Sequence, residues 1–342
     1  MPDLRKISYG CGFCPAPVIL TLSNTFCEEF DDSTMGLSPD ILTSLKKIEN
    51  PTRIFGDRTQ FGDGLLDNAQ VVAGEVNFVY VRIRNRGGLI AKQVIATVYS
   101  APLATLITPD DLIEVGRSDP LTIPIGCNPV ITNAIPWNPD ISDGEGRTLV
   151  VQLSLAEEPL RPLPQMQWLE FLATLCNSEQ VAQRSIQVVD ISDATPPEIE
   201  LPFSIKGKPD GQAVRLDILR QLPQEIDLTW EIPDEVFKAI AQANCIDEKN
   251  VEPSPEKGKV RLRLSSANQV SFPGVRLPAG QSYPSKLLVR GQDALSTGRY
   301  SIAVRQRAEG NELGRVTFAL RPPKPIRPPL FRFIDRFRGI FD

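Results

Sequence analysis

The sequence predicts an all-β protein built from two β-sandwiches in tandem. Short runs along the chain alternate between apolar and polar side chains, which is typical of strands with one buried face. The 31 prolines among 342 residues cluster between these runs and favour many short strands over helices. The length itself suggests two or three domains.

The clearest run covers residues 76–88 (VNFVYVRIRNRGG). Val79, Val81 and Ile83 share one face, which we expect to be buried. The opposite face is predicted to be solvated, and it carries Phe78, Tyr80, Arg82 and Arg84. Residues 85–88 tolerate positive φ and predict a turn. A second run, residues 93–99 (QVIATVY), follows, so the two runs predict an antiparallel hairpin.

Composition shifts divide the chain into six parts. They are a leader (1–36), a first β-sandwich (37–190), a linker (191–197), a second sandwich (198–321), a proline-rich arm (322–329) and a short amphipathic helix (330–342). Spacing near 3.6 residues predicts a helix over residues 165–176 in the first sandwich. The Pro-Asp pair at 233–234 predicts the start of a second helix over 235–243.

Several motifs of the first sandwich resemble a known family. They are Pro39-Asp40-Ile41, residues 77–88 (NFVYVRIRNRGG), residues 100–105 (SAPLAT), Trp137-Asn138-Pro139 and residues 181–190 (VAQRSIQVVD). Together they resemble the immunoglobulin-like domains called CARDB, over residues 38–190. The resemblance implies an adhesion or spacer module, of the kind appended to bacterial surface proteins, secreted enzymes or phage-tail-like particles, with no shared catalytic residues. The second sandwich ends in a strand pair similar to that of an immunoglobulin-like domain.

Composition also limits the chemistry. The chain has no histidine, which rules out Ser-His-Asp or Cys-His catalysis and histidine-ligated metal sites. A net charge of −5 gives no attraction to nucleic acid. No apolar run is long enough to span a membrane, and the apolar stretch at 15–22 does not fit a signal peptide, so we expect a cytoplasmic protein, which could still lie within a particle.

The leader contains Cys11, Cys14 and Cys27. The spacing of Cys11 and Cys14 (CxxC) permits a zinc site with Cys27 and one distant thiol, or a redox dithiol. A second CxxC pair, typical of structural zinc sites, is missing, so a glycine- and proline-rich turn is the simplest interpretation. We therefore expect no cofactor, with zinc as the alternative.

The tail (residues 322–342) consists of the arm PPKPIRPP and the segment LFRFIDRFRGIFD. On a helical wheel the apolar residues of this segment gather on one arc. They are Leu330, Phe331, Phe333, Ile334, Phe337, Ile340 and Phe341. A helix this short needs a surface to become ordered. That surface is a partner or an identical subunit, its own domain, or a membrane; the mixed Arg and Asp residues of the polar face make the membrane the weakest of the three.

The sequence is compatible with three functions. The first is a non-enzymatic structural subunit that docks into a larger bacterial assembly through its terminal segments, for example a phage-tail-like or contractile particle or a surface structure. The second is a module that binds carbohydrate or another small ligand, although Trp137, Trp168 and Trp230 all have ordinary core explanations. The third is a carboxylate-based hydrolase, using Asp110-Asp111 or the acids at 140, 143 and 145.

Overall fold

The computed structural model of the chain describes residues 18–22, 38, 40–56, 71–72, 74–139, 146–157, 159–185, 188–190, 198–244, 246–291 and 300–321. Within these residues the strands form four five-stranded sheets, which make two β-sandwiches. The predicted all-β fold with two sandwiches in tandem is therefore confirmed. No helix of the described residues is long and apolar enough to cross a bilayer.

The first sandwich is built from strands β1 to β10. They are β1 (Leu20–Thr21), β2 (Ile41–Ser44), β3 (Asn77–Asn85), β4 (Ala91–Pro102), β5 (Ile113–Arg117), β6 (Leu121–Ile123), β7 (Gly126–Ile131), β8 (Ile135–Trp137), β9 (Arg147–Leu155) and β10 (Val181–Ser185). In one sheet β3 pairs with β1, β2, β7 and β8. The other sheet has the order β10-β9-β4-β5, with β6 also paired to β4.

Strands β3 and β4 lie in different sheets, so the predicted hairpin is wrong. Residues 86–90 cross from one sheet to the other instead. The alternation identified the buried face of each strand correctly, but it does not show which strands are neighbours. In a sandwich, the buried faces of two successive strands can meet across the core instead of lying side by side in one sheet. The residues that do so are Val79, Val81 and Ile83 of β3 and Val94, Ala96 and Val98 of β4.

The outer face of β3 is also covered, which corrects the prediction of a solvated face. Tyr80 and Arg82 are buried, while Phe78 and Arg84 are partly buried. A short helix, Pro51–Phe55, brings the Phe55 ring to 5.4 Å from the Tyr80 ring. The cause is a small satellite core on this side of the sheet, which polar periodicity alone does not reveal.

The predicted helix in the first sandwich is confirmed as Trp168–Asn177. It packs on the sheet that contains β9 and β10, and Phe171 is fully buried against that sheet. Gln167 and Glu170 form a capping box at its start.

The second sandwich is built from strands β11 to β20. They are β11 (Val188–Asp190), β12 (Ile199–Lys206), β13 (Val214–Gln221), β14 (Asp227–Pro233), β15 (Val251–Pro253), β16 (Lys259–Arg263), β17 (Gln269–Val275), β18 (Ser282–Arg290), β19 (Tyr300–Ala308) and β20 (Asn311–Arg321). One sheet has the order β11-β20-β19-β13-β17 and the other β12-β18-β14-β16-β15. The predicted second helix is confirmed as Asp234–Ala243.

Strand β11 joins the two units. The predicted boundary at residue 190 assigns it to the first sandwich, but it pairs in parallel with the end of β20 in the second. The predicted linker, residues 191–197, lies outside the described residues. Only residues 186–187 separate β10 from β11.

Candidate docking surface

The predicted docking and metal-binding residues all lie outside the described part of the chain. The tail residues are Leu330, Phe331, Phe333, Ile334, Phe337, Ile340 and Phe341, and the leader cysteines are Cys11, Cys14 and Cys27. Both assignments therefore stay predictions. Among the described residues, no group of three or more Cys, Asp or Glu side chains is placed to hold a metal ion.

In the acidic pair Asp110-Asp111, structural contacts occupy the carboxylate of Asp111. Oδ2 of Asp111 accepts hydrogen bonds from the backbone N and the hydroxyl of Thr108 at 2.7 and 2.8 Å. Both oxygens of Asp111 lie 2.6 Å from Nζ of Lys206. The carboxylate thus caps a turn and pairs with a lysine, which leaves it poorly suited to general acid catalysis. The acids at 140, 143 and 145 lie outside the described residues.

The three tryptophans are core or junction residues, as expected from the sequence. Trp230 is fully buried, with its ring 5.6 Å from that of Phe272. Trp137 is buried in the first core. Trp168 is partly buried and packs against both the second core and the cluster beneath its own helix. None of the three forms the exposed aromatic platform that a sugar-binding surface requires.

An ion pair joins the two sandwiches. Nζ of Lys206, at the end of β12, contacts Asp111 of the β4–β5 connection and the hydroxyl of Thr108 at 2.8 Å. The Lys206 side chain is 10% exposed and that of Asp111 is 21% exposed. A pair this well buried is screened little by salt, and removing either partner would leave the other charge buried without compensation.

Backbone hydrogen bonds reinforce the same junction. The Thr105 N–H donates to Ser204 O, and the Ser204 N–H donates to Leu103 O, both at 2.9 Å. The Thr105 hydroxyl donates to the buried Gln306 side chain at 2.8 Å. Leu106, from the first sandwich, is fully buried within the core of the second. The two sandwiches therefore share a packed interface.

Gly314 of β20 permits this close approach. A Cβ atom at this position would lie 2.4 Å from the backbone oxygen of Thr105, a distance that side-chain carbons do not tolerate. The absent side chain thus sets the distance between β20 and the β4–β5 connection.

In the second sandwich, ion pairs link neighbouring strands of the same sheet. Glu231 is fully buried, and its Oε2 accepts hydrogen bonds from Arg261 and Ser254, both at 2.8 Å. Burial alone would raise the pKa of Glu231, but these two hydrogen bonds and Lys286 hold it below its ordinary value. Hydrogen bonds from Lys259 and Lys286 lower the pKa of Glu256 to about 2.

Asp217 is the corresponding acid of the opposite sheet. Its carboxylate is fully buried and contacts Ser271 at 2.7 Å, Arg215 at 2.6 Å and Arg305 at 3.3 Å. Burial would raise the pKa of Asp217, but the hydrogen bonds from Ser271 and Arg215 outweigh it and lower the pKa. Glu231 and Asp217 are thus held ionised by basic neighbours, whereas a catalytic acid needs an environment that keeps it protonated near pH 7.

The first sandwich contains a buried acid of its own. Asp40, just before β2, contacts Nε of Arg82 at 2.5 Å and Nη1 of Arg84 at 3.0 Å. Nearby, the Arg184 guanidinium is fully buried and donates to the backbone oxygen of Ile41. Burial lowers the pKa of Arg184 to about 10. These contacts tie β2, β3 and β10 together.

Four exposed aliphatic residues belong to chain segments whose backbones meet where β3 ends and β4 begins, at the end of the first sandwich that lies away from the junction. We call this surface the apolar end, and it consists of Ile19, Leu89, Ile90 and Ile125. Ile90 and Ile125 are 52% and 54% exposed, so each offers about half of its side chain to a partner. Single exposed aliphatics are ordinary, but neighbouring ones at one loop end are typical of an interaction site.

Asn85 holds the three segments of the apolar end together. It is fully buried, and its Nδ2 donates to Leu89 O at 2.7 Å and to Ile123 O at 3.3 Å. Its Oδ1 accepts from the Gly87 N–H at 3.0 Å, which closes an Asx turn. The neighbouring Arg86 N–H donates to Ile19 O at 2.8 Å. Leu89 and Ile19 thus accept hydrogen bonds through their own carbonyls, while Ile90 and Ile125 lie one and two residues from such an acceptor.

The sequence analysis missed this surface. The composition of residues 85–88 predicts a turn, and it indicates no role for Leu89 and Ile90, the two aliphatics that follow. The only local indication is the pair Leu89-Ile90 beside that turn, which is shorter than the run of three or four apolar residues that marks a functional surface. The contributions of Ile19 and Ile125 depend on strand pairing that local periodicity does not show.

No family model and no curated protein matches the chain. Among solved structures it is similar to the collagen binding subdomain of the Enterococcus faecalis surface protein ACE (8% identity, 39% of this chain and 93% of that chain, TM-score 0.18). It is also similar to the collagen adhesin CNA from S. aureus (9%, 74% and 89%, TM-score 0.20). A third similar structure is AvmM, which catalyses macrocyclization in alchivemycin A biosynthesis (14%, 41% and 86%, TM-score 0.18).

Likenesses with TM-scores of 0.20 or lower carry no argument about what this chain binds. The strands and sheets themselves establish the β-sandwich fold that the CARDB resemblance implied. Since no family model matches, membership of the CARDB family itself stays a prediction that rests on the motifs alone.

Proposed function

We propose that this protein is a non-enzymatic interaction subunit that binds protein partners through its two ends. The apolar end is the observation that supports this most directly, because it places several exposed aliphatic side chains on a firmly anchored loop end. The apolar residues predicted for the tail supply a second adhesive segment at the other end of the chain.

The junction between the sandwiches suits such a subunit. A buried ion pair, backbone hydrogen bonds and an inserted leucine fix one sandwich against the other. A body of fixed shape holds its two ends at a defined separation, which lowers the entropic cost of ordering an assembly. We propose that this assembly is a larger bacterial one, and the CARDB resemblance favours a phage-tail-like or surface particle that forms in the cytoplasm.

The interactions of the described acids argue against the hydrolase hypothesis. Asp111, Asp217 and Glu231 each contact a lysine or arginine within 3 Å. A hydrolase of the two-carboxylate type needs two acids facing one cleft, about 5–10 Å apart, one of them protonated. We therefore propose a role without catalysis.

The test is the native size of the protein in its own cell extract. We would separate the extract by gradient sedimentation and identify the co-migrating proteins by mass spectrometry. Migration in a megadalton fraction with constant companions supports the proposal. Migration near 37.8 kDa, the mass of the single chain, without companions would refute it.

A further inference from the structure

We infer that the apolar end binds the tail of a second copy of this chain, so that the protein associates head to tail. This inference rests on the proposed function and names the partner of the apolar end. Three arguments support it: the ends from which the two segments emerge, the reach of the tail, and the chemistry of the two surfaces.

The apolar end and the start of the tail lie at opposite ends of the body. Strand β4 begins beside the apolar end at Ala91 and reaches the junction at Pro102, a path of about 37 Å at about 3.4 Å per residue. Strand β20 leaves the junction at Gly314 and ends at Arg321, a further path of about 24 Å. Strand β10 runs in the same direction as β4, because both are antiparallel to β9, and β11 runs in the same direction as β20. Only two residues separate β10 from β11, and from this we infer that the two paths lead away from the junction in opposite directions.

The reach of the tail favours the apolar end of a second copy over that of its own chain. As a polyproline arm, residues 322–329 would extend about 25 Å, at about 3.1 Å per residue. As a helix, residues 330–342 would add about 20 Å. The combined reach of about 45 Å is shorter than the two strand paths laid end to end, which together span about 60 Å. A second copy can present its apolar end directly beside Arg321.

The chemistry of the two surfaces matches. The tail helix predicted from the sequence offers apolar residues from Leu330 to Phe341 along one arc, and it needs an apolar surface to become ordered. The apolar end supplies branched aliphatic side chains whose positions are fixed by Asn85. An aromatic helix face against an aliphatic surface is a common mode of helix recognition.

The leader is the competing occupant. Residue 18 lies two positions before β1, which pairs with the end of β3, so the segment 1–17 joins the described chain beside the apolar end. Their apolar residues follow no helical period, whereas those of the tail do. The tail therefore fits the surface better, and coverage by the leader is an outcome that the experiment distinguishes.

Two full-length variants and their mixture test the inference. The first carries Ile90→Asp and Ile125→Asp at the apolar end, and the second carries Phe333→Asp and Phe337→Asp in the tail. A matched control carries Ile113→Asp, since Ile113 is 66% exposed on β5, away from the apolar end. Sedimentation velocity at about 1 to 100 µM covers the affinity range of small interfaces. Circular dichroism confirms that each variant folds.

We expect the wild type and the Ile113→Asp control to form larger species as concentration rises. Each double variant should remain at 37.8 kDa. An equal mixture of the two double variants should form a dimer of twice that mass, because one retains a working tail and the other a working apolar end. Longer species should not form from this mixture, since the remaining two surfaces are both disabled.

The sedimentation experiment gives a different result if the inference is wrong. If the wild type remains monomeric at 100 µM, or if the mixture forms no dimer, the tail does not bind the apolar end of a second copy. Coverage by the leader or packing of the tail on its own domain would give this result. The protein could still migrate in a megadalton fraction of the cell extract with other companions, in which case the proposed function stands without head-to-tail association.

Discussion

Replacing Lys206 by methionine tests whether the junction stabilises the two sandwiches as one unit. Methionine retains most of the apolar stem of lysine, so the change removes mainly the charge and its hydrogen bonds. Nζ of Lys206 contacts both oxygens of Asp111 at 2.6 Å and the Thr108 hydroxyl at 2.8 Å. No other described residue replaces these contacts, because the remaining bonds to Asp111 come from Thr108 alone.

The expected loss is about 2 kcal/mol. Hydrogen bonds to charged groups contribute about 1.5–3 kcal/mol each, and the upper part of that range applies only to fully buried groups. Asp111 is 21% exposed, so water compensates it in part after the lysine is removed. For units of about 150–250 residues, 1 kcal/mol corresponds to about 2–4 °C in Tm, so a decrease of about 4–8 °C is expected. Differential scanning calorimetry measures it and also shows whether the two sandwiches begin to unfold separately.

Lys208→Met is the matched control. The Lys208 side chain is also 10% exposed and sits two residues away, but its partners Asp210 and Gln212 belong to its own turn. Asp210 is exposed, so this pair contributes under about 1 kcal/mol. Equal decreases in Tm for the two variants, or a decrease below about 2 °C for Lys206→Met, would refute a stabilising role of the junction.

Three further outcomes are expected. Gly314→Ala should destabilise the protein by about 1–3 kcal/mol in urea unfolding, because its Cβ would meet Thr105 O at 2.4 Å; an unchanged midpoint would show that the interface is loose. Asn85→Ala should cost about 2–3 kcal/mol and increase amide hydrogen exchange at residues 86–90, since three side-chain hydrogen bonds are lost; unchanged exchange there would contradict its anchoring role. Asp217→Asn should cost about 2–3 kcal/mol at pH 7. Because the pKa of Asp217 is lowered on folding, its contribution is complete above pH ~4 and is lost as pH falls through the folded value, so the two proteins should converge in stability in acid; a constant difference would contradict this.

The buried faces of the strands were predictable from sequence because the period of side chains along a strand is fixed at two residues. Val79, Val81 and Ile83 illustrate this, and all three are fully buried. The helix Trp168–Asn177 was predictable from its 3.6-residue spacing, and the helix Asp234–Ala243 from the Pro-Asp pair at its start. Side-chain periodicity is a local property, so it can be recognised without knowledge of the neighbouring strands.

The pairing of strands was not predictable in the same way. The interval between β3 and β4 fits a hairpin and a crossover equally well, and only the packed sandwich decides between them. The contacts of Asp111 with Lys206 join residues 95 positions apart, and those of Thr105 with Gln306 join residues 201 positions apart. Composition marked Asp111 as a loop acid, and nothing local indicates its distant partner.

The docking surface was only partly predictable from the sequence. Leu89 and Ile90 were visible in the sequence as aliphatics beside a turn, but Ile19 and Ile125 join them only through the pairing of β1 and β7 with β3. The tail and the leader cysteines were chosen from composition and spacing, and their roles stay predictions.

The parallel pairing of β11 with β20 affects how the molecule would respond to tension. If copies are linked head to tail, a stretching force enters each copy at the apolar end and leaves through Arg321. Strand β20 would then be pulled along its own length between β19 and β11, so its hydrogen bonds would be sheared together rather than opened one after another like a zipper. Bonds that must break simultaneously raise the force needed for rupture. The strand that carries the tail is thus placed where a fibre under strain would need its strongest attachment.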